Sequence, residues 1–177
     1  TMSGRYWHAL ATKDRNYPVE FLKEKSYFAN LIARHDSEHN YRSLFFEKLN
    51  AYKRVESAGP LLYNMPDGTQ VNWLDDSKTN FQRKCKFTIC FESTVHEGFI
   101  TEKITDAFFS DTIPVYFGSS NITEFFNKDA FINVSDYESL DAVVEKIKEL
   151  DQDDEKYMQM LRQPILVDPT YPDKLEE

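Results

Sequence analysis

The chain has 177 residues, of which 41% are hydrophobic, enough for one domain with a substantial core. No apolar run approaches the roughly 20 residues that a membrane-spanning helix needs, so no transmembrane segment is predicted. The formal net charge of −9 argues against a nucleic-acid partner, which binds a basic surface. It is compatible with a nucleotide ligand, which needs only a few well-placed cations.

Residues 1–20 are mixed and polar, and we interpret them as a lead-in or cloning-derived segment before a single domain over residues 21–177. No apolar stretch near the start resembles a secretory signal. Cys85 and Cys90 lie five positions apart. On a strand they would face opposite sides about 17 Å apart, too far for a mutual disulfide. Both are expected to be reduced, which favours a cytosolic protein.

Hydrophobic periodicity predicts strands that alternate with helices along the domain. In chain order we predict a strand over residues 26–33, a helix over 42–52, a strand over 53–56, a loop over 61–74, a helix over 77–83, a strand over 86–91, a helix over 102–110, a strand over 112–117, a helix over 121–126, a strand over 130–134, and helices over 139–150 and 154–162. This alternation predicts an α/β fold, a Rossmann-like and mostly parallel sheet with flanking helices.

Two local signals add detail to these elements. Asp75 and Asp76 precede the helix over residues 77–83 and are predicted to cap it. Pro114 lies inside a predicted strand and has no backbone N–H to donate. That strand is therefore expected at an edge of the sheet or at a bulge.

The most informative stretch joins a strand, a polar loop and a helix. The apolar run that ends at Phe91 continues through Ser93 into the loop, and the next helix begins with Glu102 and Lys103. Open α/β sheets bind ligands at the carboxyl ends of their strands, and helix N-termini attract phosphate. Lys103 is thus a candidate phosphate ligand and Glu102 a candidate acceptor for ribose hydroxyls. The alternative is a glutamate favoured by the helix dipole beside a solvated lysine.

Arg42 is a further candidate, at the start of the helix over residues 42–52. A cation at a helix N-terminus is unfavourable, and a bound phosphate would compensate it through the bidentate geometry of the guanidinium. The alternative is an exposed arginine paired with Asp36 or Glu38.

No metal site is predicted. His35 and His39 are four residues apart but lie in a polar loop rather than on a helix. The segment Asp151-Gln152-Asp153 matches the Asp-X-Asp pattern of metal-binding sugar transferases. Because it joins two predicted surface helices, we interpret it as solvated charge.

At these residues the chain resembles the α1,3/α1,4-fucosyltransferases of glycosyltransferase family ten, from about residue 26 to residue 173. The matching segments are Tyr41-Arg42, Phe45–Leu49, Ser57–Gly59, Lys86–Glu92, Phe99–Ile104, Thr112–Gly118 and Phe131–Val134. The resemblance implies the C-terminal half of a GT-B architecture, in which two Rossmann-like halves face a cleft and this half binds GDP-fucose. It also implies a metal-independent, inverting transfer of fucose to a hydroxyl of a glycan acceptor, without a cofactor.

By position in the family, Arg42 and Lys103 would contact the diphosphate and Glu102 the ribose. Ser93 stands where the family usually has asparagine, and Phe99 where tyrosine is frequent. Serine has a shorter reach, and phenylalanine keeps the stacking surface but loses the hydroxyl. These five residues form the predicted donor site, and the two departures leave open a domain for another GDP-sugar.

In this family the general base lies in an acceptor-binding N-terminal half, which would need more than about 100 further residues. Those residues are not found before Tyr27. No catalytic residue is therefore predicted within this chain, and the chain alone is expected to be inactive. A degenerate, non-catalytic interaction module is the remaining alternative. Analogy to bacterial relatives places the full-length protein in the cytoplasm, peripherally at the inner face of the membrane.

Overall fold

Five parallel strands form one sheet in the computed structural model, which describes residues 4–73 and 75–170. The strands are β1 (Tyr27–Leu31), β2 (Val55–Glu56), β3 (Cys85–Phe91), β4 (Ile113–Phe117) and β5 (Ile132–Asn133). Across the sheet they run in the order β2-β1-β3-β4-β5. The predicted Rossmann-like α/β fold is confirmed.

Helices cover both faces of this sheet. They are α1 (Gly4–Ala11), α2 (Tyr41–Tyr52), α3 (Ser77–Arg83), α4 (Glu102–Phe109), α5 (Leu140–Gln152) and α6 (Asp154–Leu161). One apolar cluster joins the sheet to α2, α5 and α6, and includes Phe45, Phe87 and Ile147. Separate clusters join the sheet to α1 and α4 and to α3. Burial on both faces explains the nearly continuous apolar sequences of β3 and β4.

The segment interpreted as a lead-in contains α1, which packs against α4 and buries Trp7 and Leu10. The domain boundary at residue 20 stays a prediction. Both cysteines are free and buried, and they lie in different apolar clusters. Burial raises the pKa of the Cys85 thiol to about 12 and also raises the pKa of Cys90. In the described part of the chain, no helix is long and apolar enough to cross a membrane.

The predicted helix over residues 121–126 is wrong, because only Ile122–Glu124 form a single 3-10 turn. The chain leaves this turn to form a bridge between Phe126 and Leu166, and the N–H of Asn127 donates to the carbonyl of Ile165 at 2.8 Å. The long-range pairing replaces the next helical turn.

The expectation for Pro114 also needs correction, because β4 lies between β3 and β5 rather than at an edge. The β5 partner reaches only Val115 and Tyr116. At Pro114 the strand therefore has β3 as its one described strand neighbour. The shortness of β5 accommodates the missing N–H donor.

Capping of α3 involves one of the two predicted carboxylates. Asp75 Oδ1 accepts a hydrogen bond from the backbone N–H of Ser77 at 2.8 Å. Asp76 occupies the N-cap position, but its side chain makes no capping hydrogen bond.

The interpretation of Asp151 as solvated charge is wrong. Its side chain is only 4% exposed, and its carboxylate lies 2.9 Å from Lys86 Nζ and 3.1 Å from Lys53 Nζ. Tyr52 Oη donates a further hydrogen bond at 3.0 Å. Asp151 therefore ties the end of α5 to the end of α2 and to the beginning of β3.

We expect Asp151→Asn to lower the free energy of unfolding by about 3 kcal/mol, because Lys86 would keep a largely buried charge without its counter-ion. Burial alone would raise the pKa of Asp151, but hydrogen bonds from Lys86 and Lys53 outweigh it and lower the pKa. The stabilisation is thus present above the unfolded pKa of about 4 and is lost as the pH falls through the lower folded pKa. Urea unfolding of both proteins at pH 7 and at acid pH measures this. A difference that persists at the acid end contradicts the assignment.

Candidate functional site

The strand order changes direction between β1 and β3. From β1 the chain crosses to β2 on one side, whereas β3 is followed by β4 and β5 on the other side. The loops after β1 and β3 therefore diverge, which opens a crevice at their carboxyl ends, the usual ligand position in doubly wound sheets.

A cleft of about 230 Å³ occupies this position. Its walls are formed by Ile32, Ala33, Arg34, His35, Asp36, Arg42, Trp73, Lys78, Ser93, Glu102 and Lys103. The cleft thus brings together four of the five predicted site residues, which come from α2, from the end of β3 and from the first turn of α4. Three larger cavities, of about 330, 600 and 630 Å³, contain none of the predicted site residues.

The fifth predicted residue, Phe99, is not among those that line the cleft. It lies in the loop after β3, where its ring is 4.9 Å from the imidazole of His96. The same loop turns at Gly98, whose φ is 77° and whose N–H donates to Ser119 Oγ at 2.8 Å. The predicted stacking role of Phe99 stays a prediction.

Arg42 is buried, with 4% of its surface exposed, so the alternative of an exposed arginine is wrong. Its Nε and Nη2 donate to the carbonyl of Phe91 at 3.0 and 2.8 Å, and its Nη1 donates to the carbonyl of His35 at 2.6 Å. Arg42 thereby ties the ends of β1 and β3 together. Burial lowers its pKa, and the negative charges of Glu92 and Asp36 oppose this shift.

Asp36 supplies the missing cap of α2. Its Oδ1 accepts from the backbone N–H groups of Ser37 at 2.8 Å and Arg42 at 3.1 Å, and its Oδ2 accepts from the hydroxyl of Ser43. Burial alone would raise the pKa of Asp36, but these hydrogen bonds lower it below its usual value. The acidic cap offsets the unfavourable position of Arg42 at the helix N-terminus.

Lys103 is held by Glu92 rather than solvated. Its Nζ lies 3.1 Å from Glu92 Oε2 and donates to Thr101 Oγ1 at 2.9 Å. An ammonium group carries three N–H bonds, so one has no partner among the described residues. Because the Lys103 side chain lines the cleft and is 21% exposed, it can offer that bond to an anion.

Glu102 and Lys78 both line the cleft and lie close to each other. The Glu102 side chain is 54% exposed, and its carboxylate lies 4.0 Å from Lys78 Nζ. Lys78 is buried and pairs with Asp106 at 2.7 Å. Burial raises the pKa of Asp106, and the charge of Lys78 opposes this shift. Because 4.0 Å is too long for a hydrogen bond between Lys78 and Glu102, the exposed Glu102 side chain can accept hydrogen bonds from ligand hydroxyl groups.

Sequence reasoning missed several residues of this cleft. Lys78 reads as a solvated lysine in a short helix, and Trp73 lies in the aperiodic loop over residues 61–74. The guanidinium carbon of Arg34 is 4.7 Å from the ring centroid of Trp73, which places a cation over an aromatic surface at the cleft wall. Glu92 does not line the cleft but pairs with Lys103, which does, and its sequence signal is a carboxylate placed directly after a buried strand.

Together the cleft offers cations, a helix N-terminus and an exposed carboxylate. The cationic groups and α4 suit a phosphorylated ligand, and Glu102 suits a polyol such as ribose. Among the residues the structure describes, no group of three or more His, Cys, Asp or Glu side chains is arranged to hold a metal ion.

Comparison with known proteins identifies relatives of the chain. Residues 22–163 match the sequence model described as "Glycosyltransferase family 10 (fucosyltransferase) C-term". The chain is 35% identical over 134 residues to the alpha-(1,3)-fucosyltransferase FucT of Helicobacter pylori, which covers 76% of this chain and 27% of that relative. It is 35% identical over 126 residues to GDP-fucose protein O-fucosyltransferase 3 of Xenopus laevis, covering 68% of this chain and 27% of the relative.

Solved structures agree with this result. The chain superposes on the crystal structure of an alpha1,3-fucosyltransferase with GDP-fucose with a TM-score of 0.72 and 34% sequence identity, over 80% of this chain and 40% of that chain. A crystal structure with GDP gives the same TM-score and identity. The prediction that the fold is the C-terminal half of such an architecture is confirmed, and the chain spans well under half the length of these relatives.

Gly118 packs so closely against Glu92 and Tyr116 that an added methyl group would disturb both side chains. A Cβ atom there would lie 2.6 Å from Glu92 Cγ and 2.6 Å from Tyr116 Oη. We expect Gly118→Ala to lower the free energy of unfolding by about 2 kcal/mol, because both neighbours are buried and must shift. Urea unfolding at neutral pH measures the loss. An alanine variant as stable as the wild type would show that Glu92 is not packed as described.

Proposed function

The chain belongs to glycosyltransferase family 10, the fucosyltransferases, and from this premise we propose that it binds GDP-fucose for an inverting α1,3-fucosyltransferase. The observation that carries the proposal is the position of Lys103, at the N-terminus of α4 in the switch-point cleft, with one N–H bond left for an anion. The solved relative with GDP-fucose supports the choice of donor.

In this proposal the diphosphate lies against Lys103 and the first turn of α4. Arg42 fixes the two loops that form the cleft and adds positive charge beneath it. Glu102 accepts hydrogen bonds from the ribose hydroxyls. When the bond between fucose and GDP breaks, negative charge develops on the departing diphosphate, and fixed cations stabilise that charge most strongly.

The general base, and the site that binds the glycan whose hydroxyl attacks fucose, are proposed to belong to a part of a longer protein outside this chain. The chain spans 27% of the Helicobacter pylori relative, which is consistent with a donor-binding part alone. We expect this chain to bind donor and to show no transferase activity by itself, which a fucose-transfer assay against N-acetyllactosamine tests.

GDP binding is the first test. We expect calorimetric titration to show binding of GDP and much weaker binding of UDP. Lys103→Ala should weaken GDP binding by about 1–3 kcal/mol, because a charge-assisted hydrogen bond to phosphate is lost. Lys148→Ala, which removes an equivalent charge from α5, is the control and should leave the affinity unchanged. Equal affinity of wild type and Lys103→Ala would remove Lys103 from the site.

A second candidate is a donor domain for a different GDP-sugar. It is favoured by Ser93, which lines the cleft just after the end of β3. Competition between GDP-fucose and GDP-mannose separates the two candidates, since the proposed donor should displace bound GDP at the lower concentration. Binding of neither sugar nucleotide nor GDP would favour a degenerate interaction module.

A further inference from the structure

Glu92 places a carboxylate at the end of β3 with no exposed side-chain surface. Two of its hydrogen bonds come from Thr101, whose backbone N–H donates to Oε1 at 2.9 Å and whose hydroxyl donates to Oε2 at 2.8 Å. The third comes from Lys103 Nζ to Oε2 at 3.1 Å. A buried carboxylate is costly unless its oxygens are satisfied in this way.

These bonds fix two things at once. Thr101 is the N-cap residue of α4, so Glu92 determines where the helix begins. Lys103 is two residues further on, and its flexible side chain is held at both Glu92 and Thr101. An ammonium group held before the ligand arrives loses less conformational entropy on binding, which increases affinity.

We propose that Glu92 is a positioning residue of the nucleotide site, which holds Lys103 in the orientation that binds phosphate without contacting the nucleotide itself. The inference rests on the proposed function, because it concerns the same cleft. Gly118 helps to hold Glu92 in place, since a Cβ atom at position 118 would lie 2.6 Å from Glu92 Cγ. The close approach leaves Glu92 little room for another side-chain position.

Glutamine at position 92 tests the charge and the hydrogen bonds with little change in shape. A glutamine has one acceptor oxygen, whereas Glu92 uses both oxygens for three donors. Whichever way the amide is oriented, its NH₂ group faces either the N–H of Thr101 or the ammonium of Lys103. Lys103 or the start of α4 is therefore released in this variant.

The experiment is a double-mutant cycle with GDP affinity as its readout. We expect Glu92→Gln to weaken GDP binding about tenfold in the wild-type background and less than about twofold in the Lys103→Ala background. That difference would show that Glu92 acts through Lys103. An equal loss in both backgrounds, or no loss in the wild type, would overturn the inference.

Asp151→Asn is the matched control, because it also neutralises a buried carboxylate paired with a lysine, at the beginning rather than the end of β3. It should lower stability and leave GDP affinity unchanged. If Asp151→Asn weakened GDP binding as much as Glu92→Gln, general destabilisation would explain both losses, and the positioning role would be wrong.

A measurement without nucleotide separates this inference from the proposed function. The rate at which acetic anhydride modifies Lys103, read by peptide mass spectrometry, should rise about threefold in Glu92→Gln as hydrogen bonds to the ammonium are lost. Wild type that fails to bind GDP would refute the proposed function. An unchanged labelling rate would refute the hold of Glu92 on Lys103, whatever the nucleotide result.

Discussion

The reversal of strand order between β1 and β3 is the constraint on which the candidate site depends. Because neighbouring crossovers leave in opposite directions, the loops at the carboxyl ends of these strands cannot cover one another. Arg42 bridges the resulting gap by donating to the carbonyl of Phe91 at the end of β3 and to the carbonyl of His35 in the loop after β1. The strand order therefore creates the opening, and the buried guanidinium of Arg42 fixes its width.

Charge is organised differently at the two ends of β3. At its beginning, Lys86 and Asp151 form a shielded pair that ties the sheet to helices on one face. At its end, Glu92 pairs with a lysine that remains partly exposed to the cleft. The first pair is closed and serves stability, whereas the second keeps a cation available to a ligand. Equivalent chemistry thus serves two purposes, and access to solvent decides between them.

Most of the fold could be predicted from the sequence, because a strand buried on both faces and an amphipathic helix leave distinct periodic patterns. The helix Ser77–Arg83 begins and ends where the pattern places it. Local patterns failed where long-range contacts decide the outcome. The bridge between Phe126 and Leu166 ends the helical turn early, so the helix predicted over residues 121–126 does not form. Four of the predicted site residues line one cleft. They could be predicted because helix starts and strand ends are visible in sequence. Burial of Asp151, Lys78 and Glu92 was not predictable, since it depends on partners that are distant along the chain.

The two buried thiols have a consequence for how opening of the fold can be followed. Burial raises the pKa of Cys85 to about 12 and also raises that of Cys90, so neither forms an appreciable amount of thiolate at neutral pH while the fold is intact. Alkylating reagents and oxidants react with thiolates, which become available here only when the sheet opens. Since Cys85 packs in the apolar cluster that includes α3 and Cys90 in the cluster that includes α4, the two reaction rates report separately on the opening of each cluster.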